Sequence, residues 1–168
     1  MRIDAIRQRY EQALEWVVIA LMAALAVEVS AGVLFRTVGY SLVWYDEVAS
    51  ILLAWLTFYG SALAAVKRAH IGCPELVALL APRPRVLARL LVEVLVIGFF
   101  LLVGWTGYTV LDVLDTDHLV SLPAIAVSWV QSVVPISAAL IIAAELLNLP
   151  RALADAGRDS GVSGGASH

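Results

Sequence analysis

Cysteine is almost absent from this chain. Cys73 stands alone, which excludes an intrachain disulfide and any metal or cluster site built on several cysteines. Histidine is nearly as scarce. His70 and His118 fall at the edges of apolar runs and His168 lies in the terminal segment, so no pair faces across a membrane interior to hold a haem. Phosphate-binding loops, G-x-S-x-G elbows and H-E-x-x-H helices are all missing. There is no basic stripe, and a formal net charge of −3 gives nucleic acid nothing to hold. No two halves repeat, and no span is broken in the way that cradles an ion at mid-membrane. With no visible substrate site, the chain is therefore expected to act as a subunit rather than a complete transporter, and no cofactor is expected.

What is abundant is apolar surface. Hydrophobic residues make up 61% of the 168, against about 45–50% in a soluble domain. The excess sits in four runs, near 16–35, 48–66, 90–111 and 124–147. Each has about the 20 residues that cross a bilayer as helix. The first run carries Glu28 and ends in Phe35-Arg36 instead of a small-residue cleavage site, so it is expected to remain as a span and not to act as a signal peptide. The predicted fold is an all-α membrane protein with four transmembrane helices. Residues 1–150 form one domain, and 151–168 form a small, polar tail expected to be disordered. Between the second and third runs, "PELVALLA" (74–81) has Pro74 and Glu75 at its head and Pro82 as a stop. It is too short to span and is expected to lie on the membrane surface.

Charge placement gives the orientation. Arg2, Arg7 and Arg9 precede the first run. Lys67, Arg68, Arg83, Arg85 and Arg89 lie between the second and third, and Arg151 and Arg158 follow the fourth. Arg36 alone falls on the other side. The positive-inside rule then puts both termini in the cytoplasm and turns 36–47 and 112–123 outward.

Several residues stand out against this frame. Asp46 and Glu47 head the second run, where a helix dipole favours carboxylates and Trp44 and Tyr45 suit the membrane interface. With Asp112, Asp115 and Asp117 they also make the outer side acidic, a field that steers a basic partner. Glu47, Ser50, Ala54, Thr57, Ser61, Ala64 and Arg68 recur at three- and four-residue steps as a stripe of small and polar side chains. Gly60 and Ala64 add a small-xxx-small pair, a pattern that lets helix backbones approach in lipid while hydroxyls bond across. Similar ridges are expected from Ala20, Ala24, Glu28 and Gly32, and from Ser128, Ser132, Ala139 and Ala143, with Gly104 and Gly107 near the outer end of the third span. Glu28 falls within the hydrocarbon, and an intramembrane acid is either functional or packed among small neighbours. Pro135 is expected to kink the fourth span, freeing the carbonyl of Gln131 near Ser128 and Ser132.

The stretch "WYDEVASILLAWLTFYGSALAAVKRAHI", with Glu47, Trp55, Gly60 and the pair His70-Ile71, resembles the small membrane subunit of tripartite ATP-independent periplasmic (TRAP) transporters, the DctQ-like family. So does "SLPAIAVSWVQSVVPIS", with Pro123, Trp129 and Pro135. The similarity covers nearly all of 10–150. The chain departs from the pattern at Cys73-Pro74-Glu75, just past His-Ile-x. The resemblance implies a bacterial inner-membrane scaffold without catalysis. It would brace a large multi-span permease that carries the substrate and sodium sites, while a periplasmic binding protein delivers an organic acid. Glu28, Asp46, Glu47, Ser50, Ala54, Trp55, Gly60, Ala64, His70, Trp129 and Pro135 are the residues expected at the partner interface. Two rivals are a membrane anchor for a redox or signalling enzyme and a small multidrug exporter. The exporter reading fits poorly with the longer chain and the one-sided charge.

Overall fold

The computed structural model describes residues 2–40, 42–67 and 82–162. Among them are five helices: α1 (Arg2–Thr37), α2 (Tyr45–Lys67), α3 (Pro82–Leu114), α4 (Val127–Gln131) and α5 (Val133–Val162). Four segments are long and apolar enough to cross a membrane: Ala5–Thr37, Tyr45–Lys67, Leu90–Leu114 and Val127–Leu149, the last made of α4 and the first part of α5. No strand occurs among the described residues, and the expected all-α membrane fold is what the chain adopts. His70 and the 74–81 segment lie outside the described residues.

Local chemistry sets the helix ends. α1 stops at Gly39, whose φ of 87° is the left-handed conformation that glycine adopts without a Cβ penalty. The Gly39 N–H donates to the Arg36 carbonyl and the Tyr40 N–H to the Phe35 carbonyl, the paired bonds of a Schellman ending. α2 begins at Tyr45 with Asp46 and Glu47 in its first turn, where carboxylates meet the free N–H groups. In the fourth span, Pro135 has no N–H for the carbonyl of Gln131 and its ring crowds that group. The helix accordingly breaks at Ser132, one turn upstream of the proline, and resumes at Val133.

The four long helices form an open row. α1 packs on α2, α2 on α5, and α5 on α3, while α1 meets α5 only slightly and α3 has little contact with α1 or α2. The last helix in sequence thus lies between the second and the third. It is also the most enclosed: Val133, Ser137, Ala138, Ile141, Ala144 and Asn148 are all buried. The main core joins Leu14, Ala62, Ala65, Val66, Ile141 and Ala144, with Tyr10, Tyr59, Leu63, Phe100 and Leu140 packed around it. It sits toward the end carrying Lys67. Three of those six buried residues are alanines, as expected where lipid supplies no hydrophobic drive and close backbone approach supplies the packing.

Three expectations change here. The inward seam of α1 runs through Leu14, Val18, Leu21, Leu25, Glu28 and Gly32, whereas Ala20 and Ala24 are exposed. In the last span Ala139 is exposed, and Ser137 and Ala138 take the buried ridge. The hydroxyls of α2 turn back on their own helix: Ser50 donates to the Glu47 carbonyl, Thr57 to Leu53 and Ser61 to Phe58. A hydroxyl facing no neighbour in an apolar setting finds its acceptor three or four residues back.

Helix lengths also exceed the apolar runs. α1 starts at Arg2, because the seam of Leu14 continues through Tyr10 and Arg7. α5 runs on to Val162, past residue 151 where the polar tail was drawn, and 163–168 lie outside the described residues.

Candidate partner interface

α2 is the hub, held by side chains along its whole length. At its C-terminal end the Ala65 and Val66 carbonyls belong to the last turn, which has no further helical N–H to bond. Asn148 of α5 donates to both, at 3.1 and 3.3 Å, from a site only 1% exposed. Arg7 of α1 donates a second bond to the Val66 carbonyl at 3.0 Å. Its positive charge also suits the negative end of the α2 dipole. Lys67 pairs with Glu15 and lies 3.9 Å from Glu11, both on α1. Tyr10 closes the set by donating to the Leu140 carbonyl at 2.7 Å, tying α1 directly to α5.

Halfway along, the Trp55 indole N–H donates to the Val130 carbonyl at 3.0 Å, across to α4. That carbonyl lies beside the Ser132 break, so Trp55 supplies a donor where the helix ladder is interrupted. Its ring lies 6.3 Å from that of Tyr59 in a tilted pair. At the other end Glu47 reaches the loop between α3 and α4. Its carboxylate accepts the N–H groups of Val120 and Ser121, at 3.1 and 2.9 Å, together with the Ser121 hydroxyl. The loop has its own order: Leu119 and Val127 N–H groups bond across it, and Pro123 leads a turn closed by Ile125 N–H to Leu122 carbonyl at 2.9 Å.

The residues expected at an interface therefore separate into two groups. Glu47, Trp55 and Pro135 serve the fold of this chain, by latch, clasp and helix break. Gly32 joins them, because a Cβ there would strike the Tyr45 ring. Gly107 of the third span does as well: a Cβ there would come within 3.0 Å of Val134 and 3.2 Å of Pro135. The second group takes no part in these interhelical ties. Ser50 and Asp46 are exposed, Ala54 and Ala64 half-buried, and a Cβ on Gly60 would meet nothing within 4 Å. Trp129 is 73% exposed. Glu28 lies on the α1 seam with one carboxylate oxygen enclosed and without a hydrogen-bond partner among the described residues. Between α1 and α2 runs an apolar groove of about 350 Å³ lined by Val17, Ala20, Leu21, Ala24, Trp55 and Tyr59. Among the described residues no three metal-ligating side chains converge.

Comparison with known proteins agrees with the architecture. The family model for tripartite ATP-independent periplasmic transporters, DctQ component, matches residues 25–155. No curated protein matches the chain.

Proposed function

Because this chain belongs to the DctQ family, the small inner-membrane component of TRAP transporters, we propose that it is the fixed brace of a sodium-driven importer of an organic acid. It works with other TRAP subunits, and its role is that of a transporter component and not of an enzyme. In this reading a large permease subunit carries the substrate and sodium sites and moves against the brace. A periplasmic binding protein hands over the substrate at the end carrying Glu47, and the end carrying Lys67 faces the cytoplasm.

One observation carries the proposal. α2 is pinned at its C-terminal end by side chains of α1 and α5, and at its middle and head by its own Trp55 and Glu47, which reach α4 and the α3–α4 loop; yet Ser50, Leu53 and Thr57 are exposed and a Cβ on Gly60 would meet nothing within 4 Å. A rigid element with an unclaimed small-residue flank suits close approach by a helix of another subunit. The groove along Trp55 and Tyr59 extends that flank toward α1. At the acidic end Asp46 and Asp117 are exposed, and their field speeds arrival of a binding protein with a basic docking patch.

Reconstitution tests the reading. Vesicles holding this chain alone should show no sodium-dependent uptake, and adding the large subunit and binding protein should restore it. Uptake by the isolated chain would end the brace model. Orientation is checked separately in a Cys73-free background. A cysteine at Ser41 or His118 should react with an impermeant reagent from outside, and one at Asp155 should not.

A further inference from the structure

A second groove lies between α3 and the fourth span, near the end carrying Glu47. It holds about 490 Å³ and is lined by Leu111, Asp112, Asp115, Ser128, Trp129 and Ile136, with Ser132 between the last two. Its chemistry changes along its length. Asp112 and Asp115 occupy the final turn of α3 and the residue just past it, at the level where the span ends. Trp129 stands beside them with its ring 73% exposed. Ile136 lies seven residues further along the fourth span, about 10 Å deeper at helical rise, and is 44% exposed. The groove therefore begins at headgroup depth and runs into the acyl layer.

The charge in this groove is one-sided. Asp115 accepts the Ser128 hydroxyl at 3.1 Å, a neutral donor that leaves the negative charge in place. No Lys or Arg occurs between Val86 and Val127 other than Arg89, at the far end of α3. The ion pairs of Lys67 with Glu11 and Glu15 are at the opposite end of the molecule. A cation entering the groove would meet two carboxylates and the face of an indole, which attracts ammonium groups through its quadrupole. An anionic headgroup would meet only repulsion there.

We propose that this groove binds a membrane phospholipid with a primary ammonium headgroup, of the phosphatidylethanolamine class. The ammonium sits between Asp112, Asp115 and the Trp129 ring, and an acyl chain follows Leu111 and Ile136. The graded depth favours a lipid over a basic side chain from a protein, which would need no apolar extension. The site stands apart from the α2 flank and does not depend on the transport role.

The test uses the full chain, purified from membranes and examined by native mass spectrometry after exchange into an equal mixture of phosphatidylethanolamine and phosphatidylglycerol. The chain should retain the ethanolamine lipid over the glycerol lipid by about fivefold, the scale of a cation–π contact joined to a screened charge pair. The double variant Asp112→Asn with Asp115→Asn keeps an acceptor for Ser128 and should bring the ratio close to one. Trp129→Ala should lower it, and Trp129→Phe should lower it less. Equal retention of both lipids by the unaltered chain would overturn the proposal, as would an unchanged ratio in the double variant. If the double variant keeps its lipid ratio but loses a co-purifying protein, the occupant is a basic side chain and the lipid site is wrong. Circular dichroism of each variant verifies that the helices persist.

Discussion

The two ends of the molecule use the same device with opposite polarity. At the Lys67 end, donors on neighbouring helices (Arg7 and Asn148) reach the terminal carbonyls of α2. At the Glu47 end, an acceptor on α2 reaches the N–H groups of a loop. The first end is backed by the buried core of Leu14, Ala62, Ala65, Val66, Ile141 and Ala144. The second has no such backing; Val120 is 93% exposed beside the latch. Donors that close on packed helices fix the fold, whereas an acceptor that closes on a loop fixes a surface. Breaking the first should destabilise the whole bundle, and breaking the second should only release the rim.

The largest effect is expected at the packed end. Asn148→Leu removes the donor to two buried carbonyls and leaves a branched apolar side chain facing them. Arg7 still serves the Val66 carbonyl, so the unmet Ala65 carbonyl should cost on the order of 1–3 kcal/mol, read as a lower thermal midpoint in detergent. An unchanged midpoint would show that the core, and not the polar clasp, governs that end. Gly107→Leu comes next. Its Cβ lacks room against Val134 and Pro135, and overpacking of this kind costs about 1–3 kcal/mol. In the middle, Trp55→Phe keeps an aromatic ring and removes the N–H, so it should lose roughly 1 kcal/mol. Amide exchange should quicken around the Ser132 break and stay as it was near Asn148.

The acidic end should respond locally. Glu47→Gln gives up a charge and one strong acceptor, so the Val120 and Ser121 amides should exchange severalfold faster while the thermal midpoint holds. A drop in midpoint equal to that of Asn148→Leu would erase the distinction between the ends. The smallest effect on the isolated chain belongs to Gly60→Leu, within about 0.5 kcal/mol, because nothing lies within 4 Å of its Cβ direction. Co-purification with the large subunit should nevertheless fall. Leu95→Ala, on an exposed side chain of α3 away from the α2 flank, is the matched control and should retain the partner. Equal recovery of both variants would remove Gly60 from the contact.

The sequence showed what is local and missed what is distant. Apolar length alone located the four spans, because a bilayer imposes it on each helix separately. Pro135 acts where it stands, and its break lies within one turn of the expected position. The interhelical bonds were not legible. Nothing in the string around Trp55 names Val130, and nothing around Asn148 names Ala65; those pairs exist only once α5 settles beside α2. The same cause misplaced the α1 ridge. Small residues at four-residue steps look like an interface, but the face that α2 covers is decided by Leu14 and Gly32, whose partners sit on the next helix. Glu47 was legible as a helix-end acid and not as a latch, since Ser121 is 74 residues away.

The order of helices in the row carries a consequence for biogenesis. α1 and α2 are neighbours in both chain and space, so they can pair as soon as both have left the ribosome. α3 has no such companion, because its packing surface is α5, which is made last and must settle into the gap beside α2. With synthesis at about 5–20 residues per second, α3 waits for seconds in the bilayer with Gly104 and Gly107 facing lipid. During that interval a chaperone or the insertion machinery would find a half-built protein with one helix unclaimed, and a truncation after α3 should leave a nascent chain that is cleared by proteolysis.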